Sequence, residues 1–387
     1  MTNPRKISPN FKIAIESTLQ WTLPAGGNIN ASTASTIGGL SNLFAETIAS
    51  GSLFSTNKGV VMSTYTLVYT GSGSSYNYYG GVLDPNGNIH FVPSSAGVGQ
   101  KVSSAGIVST YSLVYSSAFN AYSGGVLDTN GNVHFVPYSG VVGQKVSPSG
   151  VVSTYSLVYT TSSAYYGGVL DPNGNIQFVP WHTPVGQMVS LAGVASTYSL
   201  VYTNSGGAYA GGVLDPSGNI HFSPLLAPVG QMISSAGVVS TYSLVYTNTS
   251  GAYIGAVLDT NGNIHFVPYT AAVGQKISSS GVVSTYSLVY TNTSGAYIGG
   301  VLTPCGDIHM VPYNATVGQK ISASGTVSTY TLVYTTGSAY IGGILDTNGN
   351  IHFVPTLAKV GMKITAISTG GMKFPFGVCL SQFFNKL

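Results

Sequence analysis

The phrase "GGVLDxNGNIHFVP", with small variations, recurs seven times along the chain, beginning at Gly80, Gly124, Gly167, Gly211, Gly255, Gly299 and Gly342. A fixed spacing of 43 or 44 residues is the signature of a repeat architecture, in which one unit cannot bury its apolar face alone and stacks on the next.

One unit, residues 240–283, holds four short runs rich in Val, Ile, Leu, Tyr and Thr: "STYSLVY", "AYIGAVL", "NIHFVP" and "VGQKIS", each bounded by Gly, Asn, Ser or Pro. Such runs read as strands. Between the second and third lie Asp259, Thr260, Asn261, Gly262 and Asn263, and in the first copy Asp84, Pro85, Asn86, Gly87 and Asn88. Pro after Asp suits the first central position of a type I turn, and the Gly takes the left-handed conformation that closes a three-residue hairpin loop. Four antiparallel strands per repeat, with no apolar spacing of three and four, match the blade of a β-propeller. A closed ring also removes sheet edges that a linear array would expose.

The expected fold is therefore all-β: a seven-bladed propeller of four-stranded antiparallel blades over residues 59–365, with an extended N-terminal arm at 1–58 and a short tail at 366–387. Two arrangements of the ends are open. The first strand run, "STYTLVY" from Ser63 to Tyr69, either begins a blade of its own or completes the blade built by the C-terminus. The Gly doublets suit a strand near the narrow axis, which favours the second arrangement, a clasp.

Only 5% of residues are charged, against about a quarter in an average soluble protein. So little charge favours association with copies or partners. With 12 Lys and Arg against 9 Asp and Glu, the net charge of +3 is too thin for a phosphate-binding patch, so nucleic acid is not an expected partner. No run of 18 apolar residues and no signal-type core in the first 20 residues give the expectation of a chain made in the cytoplasm and not inserted in a membrane. Cys305 and Cys379 lack metal or disulfide spacing.

Candidate sites follow from what repeats and what departs. His90, His134, His221, His265, His309 and His352 share one position, with Gln177 in the remaining copy. A ring of imidazoles suggests a metal or pH site, but copies on neighbouring blades stand too far apart for ligand distances near 2 Å, so in-blade hydrogen bonding is expected and no metal or other cofactor. The Asp of each "DxNGN" reads as a turn former; the Gln of each "VGQK" reads as a polar pairing between strands. Tyr209, Tyr253, Tyr297 and Tyr340 precede the Gly pair; a Tyr in every copy serves packing within the fold, and the same rings, if exposed, would stack on a sugar. Trp181 and His182 in the third copy, and Leu225 and Leu226 in the fourth, break the pattern and offer a contact surface. Phe374, Phe376, Phe383 and Phe384 in the tail are candidates for assembly contacts. No nucleophile elbow, zinc-spaced His pair or phosphate loop is present, so no catalytic residue is expected and the chain is read as not an enzyme.

The "AYxGGVLxxxGxIHFVP" units and the closing "FFNKL" at Phe383 to Leu387 resemble a family of repeat propellers found in virion proteins of large phages and large DNA viruses and in some bacterial surface proteins. The Gly doublet after Tyr is also similar to kelch blades, although the kelch Trp is missing from every copy. The resemblance spans residues 63–387. It implies a structural or adhesive protein of a virus particle whose partners are other virion proteins or copies of itself, with a host surface glycan as a further partner. The alternative it leaves is a carbohydrate-binding propeller outside the cell or at the cell surface.

Overall fold

The computed structural model describes residues 60–71 and 76–365. Its 28 strands, from Val61 to Thr365, form seven antiparallel sheets of four. Blade 1 runs outward through Tyr78–Leu83, Ile89–Pro93, Val98–Val102 and Val108–Ser112, and five further blades repeat that order. Blade 7 takes three strands from the C-terminal end, Tyr340–Leu345, Ile351–Pro355 and Val360–Thr365, and its outermost from the N-terminal end, Val61–Thr66. Thr64 stands opposite Met362 in that pairing. The ring is clasped, and the "STYSLVY" run is the outer strand of every blade.

Turn chemistry fixes the hairpins. In blade 1 the Asp84 carboxylate Oδ1 accepts the N–H groups of Asn86 at 2.9 Å and Asn88 at 2.8 Å. Gly87 adopts φ 79° and Gly262 φ 78°, the left-handed step that the three-residue loop needs. In five blades the other Asp oxygen holds the repeated histidine. In blade 2, His134 Nε2 lies 3.0 Å from Asp128 Oδ2, and His134 Nδ1 lies 3.3 Å from the Tyr155 hydroxyl on the outer strand. A carboxylate only accepts, so Nε2 carries the proton and Nδ1 accepts from tyrosine. Burial holds His134 below its ordinary value, with Asp128 opposing the shift. The imidazole is thus a neutral strut between the turn and the outer edge.

Blades are joined by apolar packing and by glutamine. Tyr122 and Phe135 of blade 2, both fully buried, pack against Val82 and Val92 of blade 1. Gln144, also fully buried, accepts the N–H groups of Val114 at 3.0 Å and Tyr115 at 2.8 Å and donates to the Tyr115 carbonyl. Gln100, Gln187, Gln231, Gln275 and Gln319 accept the same pair of N–H groups in their blades. The pairing that the sequence pattern suggests between strands runs, in the fold, between blades: each amide catches the chain as it leaves the preceding outer strand.

Candidate functional site at the axial mouth

Every inner strand carries a β-bulge. In blade 2, Tyr122 stands opposite Pro137 and Gly125 opposite Phe135, so Ser123 and Gly124 together face Val136. A bulge bends the strand and re-aims a side chain, and the same shift recurs in all seven blades. The bulge glycine must be glycine. Gly124 has φ 82°, and a Cβ built on it would lie 2.9 Å from the Cα of Gly167; the contacts continue blade by blade until Gly342 meets Gly80 at 3.1 Å. Seven glycine backbones thus close round the axis.

The bulge turns the preceding residue into one mouth of the axis. That position holds Tyr79, Ser123, Tyr166, Ala210, Ile254, Ile298 and Ile341 in successive blades. A second tier comes from the residue after the Pro that ends the second strand, which is Ser94, Tyr138, Trp181, Leu225, Tyr269, Tyr313 or Thr356. Eleven of these fourteen line a cavity of about 210 Å³. They are among the positions at which the repeat varies most.

The cavity has two unlike walls. On one side Tyr166 and Trp181 stack at 4.9 Å and 24°, Tyr79 meets Tyr166 edge-on at 5.7 Å, and Tyr138 meets Trp181 at 6.4 Å. The other side is mixed: Leu225, Leu226, Ile254 and Ile298 line it together with Tyr269 and Tyr313, whose rings lie 6.1 Å apart. The Tyr76 and Tyr313 hydroxyls are 3.1 Å apart. Burial, reinforced by neighbouring tyrosines, pushes the Tyr79, Tyr166 and Tyr313 hydroxyls up, so they remain protonated donors. No lining side chain carries a formal charge. Asn120, at the rim, holds φ 45°, a left-handed setting uncommon for a residue with a Cβ, and its side-chain oxygen accepts from Ser94 and Ser95. Beside it Phe119 stands 81% exposed.

Of the residues expected from sequence, Trp181 lies in this cavity, with the His182 ring 5.6 Å from it at the flank. Leu225 and Leu226 lie there too. Tyr209, Tyr253, Tyr297 and Tyr340 do not: all four are 0% exposed, packed on Phe222, Phe266, Met310 and Phe353 in the blade interfaces, with each hydroxyl donating to a backbone carbonyl. They are core residues, not stacking platforms. The mouth uses the next residue along, because the bulge reverses the facing at that point. Phe374, Phe376, Phe383 and Phe384 lie outside the described residues, as does the arm. Sequence reading missed Tyr79, Tyr138, Tyr166, Tyr269 and Tyr313; the signal available was that the residue between the constant Tyr and Gly, and the residue after the constant Pro, both vary. Among the described residues no group of three or more His, Cys, Asp or Glu side chains is placed to hold a metal ion.

No protein-family model and no curated protein matches the chain. Solved structures do resemble it. A streptogramin B lyase superposes with a TM-score of 0.68 at 19% identity, covering 78% of this chain and 97% of the lyase. A catalytically inactive His-to-Ala form of virginiamycin B lyase from Staphylococcus aureus, with quinupristin, gives 0.67 at 18% identity, covering 79% and 99%. The extracellular domain of a putative hybrid two-component system from B. thetaiotaomicron gives 0.61 at 12%, covering 79% of this chain and 41% of that one. At these identities the likeness is one of fold.

It nevertheless corrects the reading of the chain as not an enzyme. The lyases are enzymes on a ring of this build, so missing sequence motifs exclude nothing here. Groups that meet at a propeller axis come from different blades, tens of residues apart, and leave no local spacing for a motif to capture.

Proposed function

We propose that this chain is an attachment propeller whose axial mouth binds an uncharged, hydroxyl-bearing ring, the chemistry of a neutral sugar residue on a surface glycan, and that it serves on the outside of a virus particle. One observation supports the recognition part: the packed Tyr, Phe and Gln positions of the blade walls are nearly constant, while both positions that converge on the axis vary from blade to blade. A surface selected only for folding has no reason to concentrate its differences there.

The chemistry of the lining narrows the ligand. Without charge, the mouth has no electrostatic attraction for phosphate, carboxylate or ammonium groups. A lining that mixes aromatic rings with aliphatic carbons suits a ring with apolar faces, while protonated tyrosine hydroxyls and Ser94 supply directional contacts to hydroxyls. A cavity of about 150 Å³ holds a benzene-sized ring, so the 210 Å³ here takes one sugar ring. The particle setting rests on the resemblance of the repeat units and on the scarcity of charge, which favours assembly.

Trp181 gives a direct test, since Trp21 is the only other tryptophan. In a Trp21→Phe background, neutral monosaccharides and a glycan array are expected to give saturable changes in Trp181 emission and retention of the protein. Tyr166→Ala, which removes the ring stacked on the reporter, is expected to weaken binding at least about tenfold, as loss of a central aromatic anchor does. No emission change with any neutral sugar, together with an empty array, refutes the reading.

A further inference from the structure

Ring closure removes the ends of the array but leaves each blade with an outer strand that, among the described residues, has a partner on one side only. Such edges invite pairing, and proteins blunt them with charge, proline or bulges. Here the outer strands carry none of these: those of blades 3 and 4, Ala195–Ser199 and Val239–Ser243, contain no charged residue or Pro and run in unbroken register against their neighbours.

Five blades keep a lysine one strand in from the edge. Lys101, Lys145, Lys276, Lys320 and Lys363 stand directly opposite outer-strand serines. Neighbouring strands are about 4.8 Å apart, so a lysine stem is long enough to set its charge beside the edge; in blade 6 that charge is instead taken up by Asp307, whose Oδ2 lies 2.7 Å from Lys320 Nζ. Blades 3 and 4 have Met188 and Met232 at that position, opposite Ser196 and Ser240. The two lysine-free blades are adjacent in the chain; Leu191, 51% exposed, is peculiar to the outer hairpin of blade 3, while Val194 and Val238 have equally exposed counterparts in Ile107, Val151 and Val282.

We propose that the outer edges of blades 3 and 4 pair antiparallel with the same edges of a second copy of this chain, joining two four-stranded blades into one eight-stranded sheet. A second copy is the occupant the surface fits. A strand placed antiparallel to itself meets an identical patch about a two-fold axis, the isologous arrangement of most dimers. The full chain carries a net charge of only +3 over 387 residues, so repulsion between copies is weak. One or two edge strands bury less than a standard interface, so the association is reversible. It is independent of what the mouth binds.

Sedimentation velocity on the full chain, up to about 1 mM, is expected to show a concentration-dependent dimer little affected by salt, since no charge takes part. Met188→Lys with Met232→Lys restores the residue that five other blades carry, and is expected to weaken dimerisation about tenfold or more by opposing like charges, with an unchanged melting transition. If that transition is lost, hydrogen exchange on the parent decides instead: amides of Ala195–Ser199 or Val239–Ser243 must gain protection with concentration. A monomer throughout, a double variant that dimerises like the parent, or edge amides whose exchange ignores concentration overturns the proposal.

Discussion

The blade interfaces and the axial mouth are made by the same seven repeats, yet they follow opposite rules. In the interfaces Phe91, Phe135, Phe178, Phe222, Phe266 and Phe353 occupy one site in six blades, with Met310 in the other. Six of seven blades also use the same buried glutamine. At the mouth the bulge position runs Tyr, Ser, Tyr, Ala, Ile, Ile, Ile. Each interface sees an equivalent neighbour, so a residue that packs well in one packs well in all. The mouth is a single place shared by seven blades, and no two of its residues need be alike. In a repeat ring, symmetry therefore marks what folding demands, and its loss marks where a ligand is free to act.

The comparison is most severely tested at the glycine ring, where both regions meet. Gly124→Val places a branched side chain at φ 82° against the Gly167 backbone. Strain in the left-handed region and overpacking each cost about 1–3 kcal/mol, so denaturant unfolding is expected to show a loss of about 3 kcal/mol or more. A variant as stable as the parent means that the axis is looser than described.

Acid weakens the walls rather than the mouth, which has no group titrating in that range. Burial holds His90, His134, His221 and His265 below their ordinary value and His309 down to about 4. Unfolded histidine takes up its proton near pH 6.5. Folded pKa values lie below that, so the unfolded state binds more protons as pH falls, and stability is expected to decline from about pH 6.5 downwards. The Asp128 carboxyl, raised by burial but lowered further by hydrogen bonds from Asn132 and His134, adds a second loss of the same sign below about pH 4. Unfolding midpoints that stay level between pH 7 and pH 5 contradict the neutral strut.

The smallest effect restores a broken repeat. Gln177 donates to Asp171 as histidine does elsewhere, yet its Oε1 and the Tyr198 hydroxyl are both buried without a partner. Gln177→His returns an acceptor to that hydroxyl and is expected to stabilise the ring by about 1 kcal/mol. A loss on thermal unfolding shows that blade 3 is adapted to its glutamine.

What the sequence determined by itself was everything local or periodic. The 43- or 44-residue spacing counted the blades, and Asp, Asn and Gly at fixed offsets set the hairpins. The Gly doublet pointed to the axis and hence to the clasp between Val61–Thr66 and Val360–Thr365. Tertiary structure alone decided which residues face the mouth. A one-residue slip moves every side chain to the other face of a strand, and the bulge between Tyr209 and Gly212 makes that slip inside each inner strand. The pattern therefore singles out Tyr209, which is core, over Ala210, which faces the axis. Tyr79, Tyr166, Trp181 and Ile298 are brought together only by ring closure, because a site assembled from residues one or more repeats apart has no spacing in the chain that records it.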